Sequence, residues 1–478
     1  MKKNVIYNVM YQILILALPL ITVPYVSRVL GADGIGTYSY TYSIAYYFML
    51  LAMLGLNNYG NRAIAKTRDD NENLSKEFCS IYAFQIITSV LSLVLYLIYV
   101  NLFDNQYKNI ALIQTMYVAS TIFDINWFYF GIEKFKLTVT RNTIIKIISL
   151  ILIFLLVKGP NDLWKYVAIL AGSTLFSNIV LFSFLKKYVT IQKVSIREIA
   201  RHIKPCLVLF IPVIAVSIYR MMDKIMIGKL SNISEVGYYE NAEKITQVPV
   251  AVIAALGTVM LPRASNMISN NQEKQVINLI EKTIKFVMFL AFAMTFGVIS
   301  IGKDFSVLFF GEGFEKSGLL IQLLSITIVF LAWGNVIRTQ YLIPKEMDKE
   351  YIISSIIAAG VNFVFNTILI NRFGAIGACV GTIIAEFIVM FYQSWAVRQK
   401  LPFKKYLKEA VQFLIKGIIM FIFVVFVGKI YKGNVILVKL IIQIVTGIII
   451  YFILNIKYVF NELGIKDILK KLKGEQAK

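Results

Sequence analysis

Apolar residues run in long blocks along this chain, with polar residues gathered into short stretches between them. A helix of about 20 apolar residues crosses a hydrocarbon core about 30 Å thick. On that basis fourteen spans are predicted, at roughly 8–28, 37–59, 80–101, 110–131, 145–158, 164–185, 205–228, 245–262, 284–302, 318–340, 352–370, 375–396, 411–429 and 436–456. The fifth is short and is expected to begin earlier, around Thr143. The connections are too short to fold separately. The fold class is therefore an all-α polytopic membrane protein. The first apolar run is too long for a cleaved signal peptide, and no small-residue cleavage site follows it.

One stretch breaks the pattern. Pro205–Leu230 reads as a membrane helix up to Ile218, then carries Arg220, Asp223 and Lys224 before the apolar run ends. An ionised side chain facing lipid is costly, about 3 kcal/mol or more at the bilayer centre. The spacing places all three on one helical face. That face either meets a wet cavity or is neutralised internally, with Asp223 paired to Arg220 or Lys224. Other charges in or beside spans are Arg28, Asp124, Glu386 and Arg338. Arg28 closes the first span after Pro19 and Pro24, and either snorkels to the interface or faces a cavity. Arg338 is read as topological. Asp124 and Glu386 are carboxylates at membrane depth, either ion-coupling groups or structural partners of basic residues.

A weak repeat runs through the chain. Ile35-Gly36-Thr37-Tyr38 recurs as Val236-Gly237-Tyr238-Tyr239, and Arg62-Ala63 as Arg263-Ala264, both at an offset of 201. The copies sit at equivalent places and are six spans apart, so both insert the same way up. This predicts two six-helix lobes related by a parallel pseudo-two-fold, with a cavity between them. The expected division is an N-terminal lobe at 1–190, a C-terminal lobe at 191–400, and two additional spans with a basic tail at 401–478.

Composition sharpens this picture. The 478 residues are 58% hydrophobic and only 16% charged, against about a quarter charged in soluble proteins. The net charge of +22 is read as cytoplasmic loops rich in Lys and Arg, not as a nucleic-acid surface. The loop 186–204 carries Lys186, Lys187, Lys193, Arg197, Arg201 and Lys204, which places both termini in the cytoplasm. Cys79, Cys206 and Cys379 suggest no disulfide framework or zinc site. The single histidine, His202, lies in a basic loop, and no metal or cofactor is expected. There is no nucleotide-binding G-x-x-x-x-G-K-[ST], no G-x-S-x-G and no H-E-x-x-H, so an enzyme is not expected. Tyr38, Tyr40 and Tyr42 either stack on sugar rings or pack in the core.

Several motifs resemble one family. Val26-Ser27-Arg28-Val29-Leu30-Gly31 with Gly34-Ile35-Gly36-Thr37-Tyr38 is similar to the opening of Wzx-type polysaccharide flippases, of the superfamily that also holds lipid II flippases and MATE exporters. Gly60-Asn61-Arg62-Ala63, Trp127 with Gly131-Ile132-Glu133-Lys134-Phe135, the segment from Asp223 through Gly237-Tyr238-Tyr239, Leu261-Pro262-Arg263 and Arg372-Phe373-Gly374-Ala375-Ile376-Gly377-Ala378 extend the resemblance along nearly the whole chain. It implies a transporter moving an undecaprenyl-diphosphate-linked glycan from the cytoplasmic to the outer leaflet of a bacterial cytoplasmic membrane, by alternating access. It implies arginines that bind the diphosphate: Arg28 and Arg62 match directly, and Arg220 and Arg263 hold the corresponding places. Membrane lipids, a polysaccharide polymerase and glycosyltransferases are the implied partners, with no nucleic acid. The alternatives are a MATE-like cation-coupled drug exporter and a membrane glycan polymerase or ligase.

Overall fold

The computed structural model describes residues 2–103 and 106–462, with side chains described from Leu18 onward except at Phe103, Pro212, Tyr219, Arg220 and Asn461. The basic tail beyond Glu462 lies outside the described residues. Among the described residues every regular element is helical. Eleven helical stretches there are long and apolar enough to cross a membrane. One of them, Leu18–Thr67, takes in two predicted spans. The segments over 110–131 and 205–228 are also helical but stand outside those eleven.

The chain divides into two compact units, Met1–Asn241 with Asn362–Ala378, and Ala242–Val361 with Cys379–Lys478. The first unit begins with α1 (Lys2–Met53), which breaks at Gly31, and α2 (Leu56–Thr67). It continues through α3 (Asn71–Phe103), α4 (Lys108–Ser120), α5 (Asn126–Gly131), α6 (Phe135–Leu156), α7 (Leu163–Phe182), α8 (Ile196–Ala200) and α9 (Ile203–Leu230). It ends in the first turns of α10 (Ile233–Ser269). Its core gathers Leu56, Ile64, Phe78, Ile81, Trp127 and Phe128.

Two local features of this unit differ from expectation. The predicted fourth span is interrupted: α4 stops at Ser120, a 3₁₀ turn covers Thr121–Phe123, and α5 restarts at Asn126. A break at membrane depth must satisfy its freed carbonyls. Gln85 does so, donating from Nε2 to the carbonyls of Thr121 (2.6 Å) and Asp124 (3.0 Å). Trp127 donates to Gln85 Oε1 (2.8 Å), which holds that amide in register. Second, α6 begins at Phe135, about two turns before Thr143. Arg141 therefore lies on the helix instead of in a loop, on the same helix as Lys146.

The second unit holds α11 (Glu273–Phe310), α12 (Glu315–Leu324), α13 (Thr327–Ile337) and most of α14 (Asp348–Phe373) and α15 (Ala375–Ala396). It closes with α16 (Phe403–Ile430), α17 (Ile436–Leu454) and α18 (Ile456–Asn461). Its core is built on Ile280, Val287, Trp333, Ile337, Tyr406 and Phe413.

Candidate functional site

The Gly36 and Gly237 motifs of the sequence repeat pack on each other. Gly36 lies against the backbone of Ile233: a methyl group there would stand 1.9 Å from the Ile233 carbonyl oxygen. Gly237, the counterpart of Gly36, lies against Ala32, the counterpart of Ile233, and a methyl group there would stand 2.0 Å from its carbonyl oxygen. Only glycine permits backbones this close. Two further contacts obey the same offset of 201. Ser39 donates to Glu240 Oε2 at 2.7 Å, and Ser234 donates to Asp33. A contact in which each copy meets the other's equivalent residues is the kind a two-fold operation produces. Asn241 adds a buried bond to Ser27 Oγ at 2.9 Å.

A buried charged network grows from this contact. Lys224 pairs with Glu240 at 2.6 Å, both side chains at most a tenth exposed. Glu240 also accepts the Ser39 bond on the same oxygen, so one carboxylate ties α10 to both α9 and α1. Asp223, which is 1% exposed, accepts from the Tyr239 hydroxyl (2.7 Å) and from Asn366 Nδ2 (2.6 Å). Asn366 belongs to the part of α14 that packs in this unit, and it also donates to Asn362 Oδ1 at 3.1 Å. Hydrogen bonds to ionised partners are short and roughly twice as strong as neutral ones, which offsets the desolvation of the buried groups.

The Arg372–Ala378 motif closes the same region. Gly374 adopts φ +58° and turns the chain from α14 into α15. The freed backbone N–H of Ala375 donates to the buried Glu235 carboxylate at 2.9 Å. Another motif has a packing role: Gly60 lies under the Trp127 indole and Gly131 under Ile64, which closes α2 on α5.

The predicted residues therefore separate into groups. Asp223 and Lys224 lie side by side in the interior, Asp223 with Tyr239 and Asn366 and Lys224 with Glu240, which also holds Ser39. Of these partners only Tyr239 stood in a sequence motif, and Glu240, Ser39 and Asn366 were not singled out from the sequence. Glu240 was hidden because 229–243 reads as a loop, whereas α10 already begins at Ile233. The repeat held the signal, since Glu240 is the counterpart of Ser39. Arg28 and Arg62 are exposed in the first unit, with Arg28 donating to the Pro24 carbonyl at 3.2 Å. Arg263 is exposed in the second unit, where Glu386 is buried at 7% exposure. The Arg220 side chain lies outside the described residues. Asp124 accepts from the backbone N–H (3.2 Å) and Nδ2 (2.6 Å) of Asn126, which fixes the break in the fourth span.

Residues 1–268, more than half of the chain, match the family described as polysaccharide biosynthesis protein. The chain belongs to this family. Among its relatives is the "Putative O-antigen transporter" of Shigella dysenteriae, 24% identical over 83% of this chain and 100% of that protein. The fold matches that of the lipid II flippase MurJ in an inward closed conformation, with a TM-score of 0.77 at 15% identity over 97% of this chain and 100% of that one. An inward-facing MATE family multidrug resistance transporter follows at a TM-score of 0.58, with 15% identity over 80% of this chain and 94% of that one. At these identities the structural likeness is one of fold. The resemblance to Wzx-type polysaccharide flippases, read from the motifs, is borne out by the family and its relatives, and the MATE-like character is one of fold. The relatives whose names state a role are described as transporters or flippases.

Proposed function

We propose that this protein flips an undecaprenyl-diphosphate-linked oligosaccharide from the cytoplasmic to the outer leaflet of a bacterial cytoplasmic membrane. Transport runs by alternating access between two pseudo-symmetric lobes, with both termini cytoplasmic. The product feeds capsule, exopolysaccharide or O-antigen assembly, alongside a polymerase and glycosyltransferases. The observation that carries this reading is the charged interior around Asp223, Lys224 and Glu240 in a chain of the polysaccharide biosynthesis family. Ionisable groups at this depth mark a substrate or ion path by default. A drug exporter suits a more apolar pocket with acidic groups for organic cations. Here the buried Glu240 is matched by Lys224.

In this reading Arg28 and Arg220 hold the diphosphate, because the guanidinium fork binds phosphate oxygens bidentately. Arg62 and Arg263 serve the same headgroup at the other end of its path. Asp223 and Lys224 position the basic groups and limit the positive charge of the empty site. Asp124 and Glu386 couple transport to an ion gradient. Binding of the diphospho-lipid to purified full-length protein tests the assignment. Removing one arginine by Arg28→Ala or Arg220→Ala should weaken binding about tenfold to a hundredfold, at about 1.5–3 kcal/mol per charge-assisted bond. Lysine at either position should restore only part of it. Wild-type affinity in both folded alanine variants would remove the arginines from the headgroup site.

A further inference from the structure

A second polar space lies wholly inside the first unit, with none of Asp223, Lys224 and Glu240 in its wall. It is a cavity of about 650 Å³ walled by α1, α4, α6 and α7, within the range of about 300–1,000 Å³ typical of small-ligand sites. Three features of its wall define what it can take. First, it carries two cations, Arg141 and Lys146, against one carboxylate, Asp124. Arg141 is 7% exposed and held by three acceptors: the Ser177 carbonyl at 2.7 Å, Asn126 Oδ1 at 3.0 Å and Asn142 Oδ1 at 2.7 Å. A guanidinium fixed in this way keeps one orientation toward a bound anion.

Second, the wall is dense in neutral hydrogen-bonding groups. Asn57, Asn142 and Asn178 line it with the Ser149–Ser173 hydroxyl pair, 2.6 Å apart. Amides and hydroxyls both donate and accept, as ring hydroxyls require. Third, Tyr46, Tyr117 and Tyr166 contribute aromatic surface. Tyr117 is set edge-on to Tyr42 at 5.0 Å, and Tyr166 edge-on to Tyr38 at 5.2 Å, so both rings are held.

We propose that this cavity binds an acidic sugar, a pyranose bearing a carboxylate, with Arg141 and Lys146 on the carboxylate, the asparagines and serines on the hydroxyls and a tyrosine face against the ring. This deepens the flippase reading and rests on it: the sugar belongs to the glycan of the transported lipid. A diphosphate fits less well, since its two or more charges would face the Asp124 carboxylate and only two cations. A neutral sugar would make no use of the wall's excess of positive over negative side chains.

Saturation-transfer NMR on the full-length protein in nanodiscs tests this, with glucuronate, glucose and inorganic pyrophosphate as probes. Glucuronate is expected to give a saturable signal at least about fivefold stronger than glucose at equal concentration. Arg141→Gln should weaken glucuronate binding about tenfold, and Arg141→Lys should fall between. Arg141 also braces Asn126 and Ser177, so Lys146→Gln, at a half-buried position, is the companion variant and should lose about fivefold. Equal signals from glucose and glucuronate, or glucuronate binding unaffected in both variants, overturn the proposal. So does displacement of glucuronate by pyrophosphate, which would make the cavity a headgroup site. Flipping of a lipid-linked glycan without any glucuronate binding overturns the cavity assignment and leaves the flippase reading standing. Glucuronate binding by a protein that flips nothing supports the site and sinks the flippase reading alone.

Discussion

At the scale of single residues, the interior charges separate what position alone reveals from what needs a partner. Asp223 and Lys224 stand out in any reading of the chain, because charges inside an apolar run are costly. Glu240 does not, since a carboxylate in an apparent loop is ordinary. Its importance comes from the Lys224 ammonium at 2.6 Å and from burial. Breaking a buried pair strands one charge, a loss of about 3–5 kcal/mol. Lys224→Met and Glu240→Gln should each lower thermal stability in detergent. The double variant should lose less than the sum, and a double-mutant cycle showing additivity would refute the pairing. His202, outside the membrane spans, is fully buried between Tyr59 (2.7 Å) and Ser80 (2.9 Å). Burial, helped by neighbouring Arg201, pushes its pKa down to about 4. An unfolded histidine titrates near pH 6.5, so between these values the unfolded chain binds more protons. The His202 contribution should be intact above about pH 6.5 and lost as pH falls toward 4. Unfolding curves taken across that window should slope less in His202→Gln; an unchanged slope would contradict it.

At the scale of elements, apolar run length located the helices well, because membrane depth sets their length. It failed where side-chain chemistry overrode hydropathy. The break at Thr121–Phe123 is invisible in an apolar run, since it depends on Gln85 reaching across from α3. The early start of α6 was hidden because Lys136 and Arg141 look like loop residues, and Arg141 in fact lines a cavity. The repeat was legible as matched letters, and the structure adds that its Gly36 and Gly237 motifs touch. Cysteines at Asp33 and Ser234, in a protein lacking Cys79, Cys206 and Cys379, should therefore form a disulfide in the membrane under mild oxidation. Gly36→Ala should sharply reduce that cross-link, because a methyl group 1.9 Å from the Ile233 carbonyl must push α1 from α10. Efficient cross-linking in Gly36→Ala would show that the backbones are not in close contact.

At the scale of the whole molecule, family and fold could be read from scattered motifs whose reasons are now local and physical: Gly60 against Trp127, Gly374 turning α14 into α15, Gly36 against Ile233. The site was less legible, because the partners of Asp223 and Lys224 are far away in sequence. The proposed sidedness rests on the basic loops and would place 186–204 in the cytoplasm. A cysteine at Gln192 should resist an impermeant thiol reagent in intact cells, and strong labelling of folded protein would invert the orientation. Ion coupling predicts that Glu386→Gln slows transport more than Asp124→Asn, read as rates under an imposed gradient; equal wild-type rates would leave both carboxylates structural. The central claim is tested most directly in proteoliposomes holding the full-length protein and a fluorescent undecaprenyl-diphosphate-linked oligosaccharide, by following access of a membrane-impermeant quencher. The account predicts protein-dependent flipping that slows at least about tenfold in Arg28→Ala and in Arg220→Ala. Flipping no faster than in protein-free vesicles would contradict it.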